Sequence, residues 1–145
     1  MRPLTRFLLI LLLAVTAFAA WTWFRPYEWN PDPAARFEIR QVQLVPDHGY
    51  CWLDVFLDRT GATDHDISKE IFLASSKGWR KSAVDFSMAG NESKGTDELW
   101  FRFWLDAGDL DGTLKLYLND GALTVKAGAD APALDGPKLF LSSRW

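Results

Sequence analysis

Three aspartates in the segment DAGDLDGTL (106–114) suggest a calcium loop, because Ca²⁺ prefers carboxylate and carbonyl oxygens as ligands. An EF-hand loop also needs a carboxylate at its twelfth position. Aligning Asp109 and Asp111 with the third and fifth positions puts Leu118 there. The sequence therefore predicts a loop whose aspartates cap a single helical turn, and no metal site.

A second candidate is the segment TDHDIS (63–68), in which His65 lies between Asp64 and Asp66. Carboxylates beside an imidazole can bind zinc or assist proton transfer. Neighbouring residues of a strand point to opposite faces, so these three groups can converge only in a loop. We interpret the segment as a solvated loop in which Asp66 caps a short turn. The other histidine, His48, follows Pro46 in a turn and is expected to be exposed.

Serine and cysteine are the candidate nucleophiles. The four serines in turns or at strand ends lack the flanking glycines of a nucleophile elbow: Ser75, Ser76, Ser142 and Ser143. Cys51 is the single cysteine, which excludes an intramolecular disulfide. It alternates with leucine and valine, as a small buried thiol would. The sequence contains no glycine-rich phosphate loop and predicts no catalytic site and no cofactor.

The strongest pattern is aromatic. Eight Trp occur in 145 residues. The strand-like segment ELWFRFWLD (98–106) has bulky side chains on two faces. One face is wholly apolar and is assigned to the core: Leu99, Phe101, Phe103 and Leu105. Two further strands contribute to that core: Cys51, Leu53, Val55 and Leu57, and Leu114, Leu116 and Leu118.

The second faces of these strands would form one continuous aromatic surface if the strands are neighbours. That surface holds six candidate binding residues: Trp52, Phe56, Trp100, Arg102, Trp104 and Tyr117. Three explanations compete. Arg102 stacks between Trp100 and Trp104 and the surface covers itself; a partner protein covers it; or a sugar stacks on the rings while Asp54 and Asp58 accept hydrogen bonds from its hydroxyl groups.

These elements follow an N-terminal segment (1–24) of a different kind. Arg2 and Arg6 precede an uncharged apolar run over residues 7–24, which is about the length that spans a bilayer. The positive charges favour a cytoplasmic N-terminus with the rest of the chain outside. We expect a retained signal anchor. The alternative is a signal peptide cleaved after the A-x-A site at Ala17–Ala19, which releases a secreted or periplasmic chain beginning near Ala20.

Residues 25–36 contain three prolines and are expected to form an extended linker. Beyond the linker we expect a bulge near Gln41, a continuous strand over Trp79–Met88 and a polar loop over residues 89–97. Gly121 is expected to take a positive φ in the turn 119–121, after which Leu123, Val125 and Ala127 alternate on the return strand.

Residues 37–145 thus show short period-two segments separated by turns. They predict an all-β domain, an antiparallel immunoglobulin-like β-sandwich of seven or eight short strands. An outer-membrane barrel is the rival, but its strands need about 9 to 11 residues. Since the first 24 residues contain only basic charges, the rest of the chain has a net charge of −5, against −3 overall, which argues against nucleic acid as a partner.

Together these features predict an extracytoplasmic, membrane-tethered β-sandwich with a binding or scaffolding role and no catalysis. The partners expected are the membrane, through residues 7–24, and a protein at the aromatic face. The alternative is a carbohydrate-binding module that presents the same face to a polysaccharide. A small hydrolase is the third possibility.

Overall fold

A computed structural model describes residues 2–24 and 29–145. The N-terminal helix α1 spans Pro3–Phe24, and its described side chains are exposed throughout. A helix of this length is about 33 Å long, slightly more than the apolar thickness of a bilayer. The stretch Pro3–Trp23 has a mean hydropathy of 2.1. The helix is thus long and apolar enough for a membrane anchor, and equally for a signal sequence.

The described part of the domain has nine strands in two antiparallel sheets, one more than the upper expectation. The strands are β1 (Phe37–Asp47), β2 (Tyr50–Arg59), β3 (Phe72–Ser75), β4 (Arg80–Ser82), β5 (Asp85–Asn91), β6 (Gly95–Asp106), β7 (Leu114–Leu118), β8 (Gly121–Lys126) and β9 (Lys138–Phe140). Sheet A has the order β5-β6-β2-β1-β9, and sheet B has the order β4-β3-β7-β8. The domain is sandwich-like, because side chains from the two sheets share one core.

The core is the one that period-two alternation predicts. All eleven predicted core side chains are at most 3% exposed. Sheet A contributes the inward faces of β1, β2 and β6, and sheet B contributes leucines from β3, β7 and β8, together with Val125. Burial of this apolar surface is the main favourable term that holds the two sheets together.

Two turns and a bulge fix the register of these strands. His48 and Gly49 have positive φ (50° and 82°) and close a two-residue hairpin between β1 and β2. Asn119, at φ 54°, begins the β7–β8 turn. A bulge between Ile39 and Gln41 moves the inward parity of β1 by one residue, as the sequence predicts.

Two expectations about strands were wrong. The sequence predicts one continuous strand from Trp79 to Met88, but the chain leaves sheet B after β4 and enters sheet A as β5. The segment 89–97, expected to be a polar loop, is mostly β-structure, because β5 and β6 pair as far as Asn91 and Gly95. The inward parity changes within residues 79–88, from Lys81 on β4, which lies opposite the core residue Leu73, to Phe86 on β5, which lies opposite Phe101. Alternation within each short piece does not indicate to which sheet that piece belongs.

The predicted extended linker also differs. Residues 25–28, and with them the end of the apolar segment at Arg25, lie outside the described residues. Residues 29–36 pack on the domain: Trp29 contacts the core, and Pro33–Ala35 form a 3-10 turn with Ala35 fully buried. Asp32 caps this turn and also accepts a hydrogen bond from the backbone NH of Ala122 on β8 (2.8 Å). The hydrogen bonds of Asp32 thus hold residues 29–36 against the domain, whereas their proline content alone predicts an extended linker.

Candidate functional site

The outer face of sheet A gathers five of the six predicted binding residues. On the central strands β2 and β6, the register places Trp52 opposite Trp104 and Phe56 opposite Trp100. Arg102 lies between these two pairs, opposite Asp54. Directly opposite residues of antiparallel strands share a face and contact each other. Sheet pairing therefore produces an aromatic surface with a charged pair at its centre.

The carboxylate of Asp54 holds Arg102 and Trp100 in place on this surface. Its side chain is only 4% exposed, and it receives Arg102 in a bidentate arrangement, with Nε to Oδ1 at 2.7 Å and Nη2 to Oδ2 at 3.0 Å. Trp100 Nε1 also donates to Asp54 Oδ1 (3.2 Å). The hydrogen bond to Asp54 raises the pKa of Arg102. The carboxylate is thus fully engaged within the protein, so it is not free for sugar hydroxyl groups as the sequence suggested.

Arg102 stacks between two indoles, but the pair is not the one expected. Its guanidinium carbon lies 5.2 Å from the ring centre of Trp52 and 5.3 Å from that of Trp100. The prediction that Trp104 forms the second wall is wrong. Trp52, on the neighbouring strand, takes that place because the guanidinium reaches across to Asp54 on β2, towards the indole beside it.

The remaining rings extend the stack along the sheet. Trp104 lies 4.2 Å from Trp52 between ring centres and is nearly parallel to Tyr50, at 5.1 Å and 14°. We call the five residues Tyr50, Trp104, Trp52, Arg102 and Trp100 the aromatic ladder. Because its members stack on one another, much of the ring-face area is already occupied, and the ladder is partly buried.

Beside the ladder lies a shallow depression of 410 Å³ between β1, β2, β5 and β6. Phe56, Trp100 and Ala89 line it, with Arg40 and Glu98 at its charged side. The guanidinium of Arg40 is 5.8 Å from the Phe56 ring centre and forms ion pairs with Asp58 and Glu98. Sequence reasoning missed Arg40 as part of this surface, because the β1 bulge at this position hides which face it joins.

Tyr117 does not belong to this surface, and the expectation of one continuous face with it is wrong. It lies on β7 in sheet B, so its side chain is on the opposite side of the sandwich. There Tyr117 stacks on Phe72, with 4.8 Å between ring centres and 12° between ring planes. The guanidinium of Arg80 covers the Phe72 ring, 3.8 Å from its centre. Alternation reports whether a side chain points in or out but not to which sheet its strand belongs.

The segment around His65 also differs from its prediction. The His65 side chain is buried, and its Nδ1 lies 3.0 Å from Oδ1 of Asn119 in the β7–β8 turn. The same amide oxygen accepts the backbone NH of Asp66, while Nδ2 of Asn119 donates to the carbonyl of Ala35. Asp66 caps the following turn through Ser68, as expected. Asn119 thus joins three segments that are far apart in the sequence.

The sequence does not predict that Lys126 is buried. The sequence predicts that β8 continues to alternate through an inward Ala127, but Ala127 is exposed and Lys126 is wholly buried. The ammonium group of Lys126 donates to the carbonyls of Gly112 (2.9 Å) and Gly128. Burial lowers its pKa. These bonds tie the loop before β7 to the loop after β8.

The acidic segment before β7 serves as a helix cap. Asp106 and Asp109 form a reciprocal capping box on the 3-10 turn Ala107–Leu110, and Asp109 also binds Lys81. Within residues 2–24 and 29–145, no three His, Cys, Asp or Glu side chains come together as a metal would require.

Comparisons with protein-family models, with curated proteins and with solved structures find no match to this chain.

Proposed function

We propose that this chain is a membrane-tethered, extracytoplasmic interaction domain that binds a partner protein through the outer face of sheet A. Helix α1 supplies the tether, with Arg2 and Arg6 on the cytoplasmic side. The partner covers the aromatic ladder and the adjoining depression. The observation that carries the proposal is the ladder itself, a partly exposed aromatic surface held in place by the pairing of Arg102 with the buried carboxylate of Asp54.

Protein recognition suits this surface for two reasons. Tryptophan, tyrosine and arginine are the residues most enriched among those that dominate protein–protein binding energy. Their side chains here are already ordered by stacking and by Asp54, so little conformational entropy is lost on binding. Arg40 and Glu98 add a charged border of the kind that usually surrounds an apolar interface core.

Carbohydrate binding receives less support from the same geometry. A pyranose ring needs an aromatic face that is open to solvent, whereas Tyr50 and Trp104 stack on each other and Trp52 and Trp100 flank Arg102. Asp58, the second carboxylate considered for sugar hydroxyl groups, pairs with Arg40 (3.4 Å). We therefore place the polysaccharide second.

We also propose an immunoglobulin-like classification, supported by strand order. Immunoglobulin constant-type domains have the sheets ABED and CFG. The order β1-β2-β6-β5 corresponds to ABED and β3-β7-β8 corresponds to CFG, with β9 and β4 added at edges. Such a fold hosts many functions, so the binding role depends on the aromatic ladder and not on the fold.

The test compares three full-length chains recovered from their native membrane: wild type, Trp100→Ala/Trp104→Ala, and Tyr117→Ala. Tyr117 is the matched control, an aromatic residue on the outer face of the other sheet. We expect a stoichiometric protein partner with wild type and Tyr117→Ala, and at least a tenfold loss with the double variant. Equal recovery with all three chains would refute the proposal. A saturable change of tryptophan fluorescence with a polysaccharide, lost in the double variant, would favour the carbohydrate alternative.

A further inference from the structure

The two sheets have four edges in the described residues, and three of them are short or covered. β4 and β9 have only three residues each. The edge of β8 is covered at one end by Asp32 and Ala34, which accept hydrogen bonds from backbone NH groups of the β7–β8 turn and of β8. At its other end Trp145 binds the carbonyl of Val125 and the NH of Gly128. β5 is the exception.

β5 is a seven-residue edge strand of sheet A that is exposed along its whole length. Its inward-facing residues are apolar: Phe86 is 58% exposed and Met88 is 44% exposed, although their partners on β6, Phe101 and Leu99, are core residues. They are uncovered because sheet B ends in the three-residue β4. A 240 Å³ cleft lined by Phe86, Met88 and Ile67 marks this gap.

Soluble proteins usually protect such an edge with lysine, proline or an inward charge. β5 contains none of these, and its only charged residue, Asp85, is on the outer face, opposite Arg102. Apart from the NH of Phe86, which donates to Asp85 Oδ1 (2.9 Å), the stretch Asp85–Ala89 ahead of the bulge has no such protection and can pair with another strand.

We propose that β5 pairs with β5 of a second copy of this chain, antiparallel and edge to edge, about a two-fold axis at Ser87. The regular part of β5 runs from Asp85 to Ala89, because the β5–β6 register shifts between Ala89 and Gly90. Gly90 is required there, since a Cβ at this position would overlap the carbonyl of Gly95. Ser87 is the centre of that regular stretch.

This register is self-complementary. Opposite residues of an antiparallel pair share a face, so the two-fold axis must pass through a residue position of β5. An axis at Ser87 places Phe86 opposite Met88 of the second copy, twice, and Asp85 opposite an uncharged alanine. An axis at Asp85 would instead oppose two carboxylates, which is destabilising. The Ser87 register thus buries the four exposed apolar side chains together and avoids repulsion, with sulfur–aromatic contacts as a further gain.

The experiment is disulfide trapping of the full chain in phosphatidylcholine vesicles. Ser87→Cys puts two thiols at the axis, where opposite Cα atoms lie about 4.5–5.5 Å apart, within disulfide range. The native Cys51 is wholly buried and its pKa is raised to about 11, so it does not compete. Leu139→Cys is the matched control: it is 55% exposed on β9, the other edge of the same sheet. Association through α1 would bring the control thiols together as often.

We expect Ser87→Cys to form a covalent dimer at least tenfold faster than Leu139→Cys under a mild oxidant. Adding Met88→Lys, which puts a charge on the inward face of β5, should abolish that advantage, whereas adding Leu139→Lys should not. Circular dichroism and tryptophan fluorescence of each variant establish that the fold is intact. Equal rates for the two cysteines, or an advantage that survives Met88→Lys, would refute the proposal. The test uses no partner or polysaccharide, so it is independent of the function proposed above.

Discussion

Arg102 Nε lies 2.7 Å from Asp54 Oδ1 at the centre of the outer face of sheet A, and the two residues differ greatly in exposure. The Arg102 side chain is 37% exposed, whereas that of Asp54 is 4% exposed. Water can therefore solvate the arginine if its partner is removed, but it cannot reach the carboxylate. This asymmetry makes the consequences of mutating the two residues different.

The first prediction concerns this pair. Arg102→Met leaves a buried carboxylate without its counter-charge and should lower the free energy of unfolding by about 3–5 kcal/mol. The double variant Asp54→Leu/Arg102→Met removes both charges and should recover most of that loss. Urea unfolding followed by tryptophan fluorescence measures both. Arg40→Met is the control: its ion pairs are exposed, so its cost should stay below about 1 kcal/mol. A double variant no more stable than Arg102→Met would show that the loss does not come from the unpaired carboxylate.

The second prediction concerns Asn119, whose side chain joins three segments at a positive φ of 54°. Asn119→Gly keeps the backbone conformation but loses the side-chain hydrogen bonds, each of which contributes about 1 kcal/mol. Asn119→Ala loses the bonds and also strains the turn, so it should be the less stable of the two. Urea midpoints of the two variants and wild type give the order. The reverse order would show that the turn tolerates an alanine.

A third prediction follows from Asp64, an exposed carboxylate whose pKa is lowered, first by the hydrogen bond from the backbone NH of Thr96 and then by that from His65. A lowered native pKa adds stability that is complete above the ordinary value of 3.8 and is lost as pH falls through the native value. Asp64→Asn should therefore flatten the acid side of the stability–pH curve. Glu92→Gln, in the exposed β5–β6 turn, serves as the control and should leave the curve unchanged. Identical acid limbs for wild type and Asp64→Asn would refute this.

A fourth prediction concerns Cys51, whose pKa is raised from 9.0 to about 11, mainly by burial and then by the negative charge of Asp109. The native thiol should resist alkylation at pH 8 and react in urea only as tryptophan fluorescence reports unfolding. Because the native pKa is raised, its contribution to stability is present below pH 9 and declines as pH rises towards 11. The exposed thiol of Leu139→Cys, on the edge of sheet A away from β5, should label rapidly in the native state. Rapid native labelling of Cys51 would contradict its burial.

The last prediction concerns helix α1. If it is a retained anchor, the intact mass of the protein from native membranes should include residues 1–24, and alkaline carbonate should not extract it. If the A-x-A site is cleaved instead, the mass should correspond to a chain beginning near Ala20, and the protein should be soluble. The second result would remove the tether from the proposed function while leaving the aromatic ladder as a binding surface.

The sequence by itself determined the local structure. Period-two alternation identified the core faces of β2, β6 and β7. The segments 46–50 and 119–121 marked two turns, although in the second the positive φ lies at Asn119 and not, as expected, at Gly121. The apolar run at the N-terminus determined the long helix. These features follow from neighbouring residues alone, because side-chain alternation and positive φ are local properties of the chain.

Only the tertiary structure decided which strands share a sheet. It separated Tyr117 from the aromatic ladder, set Trp52 rather than Trp104 against Arg102, and buried Lys126. It also left β5 at an uncovered edge. Alternation specifies only whether a side chain points inward or outward. Contacts between side chains also depend on strand order, and strand order is set by pairing between segments that are distant in the sequence.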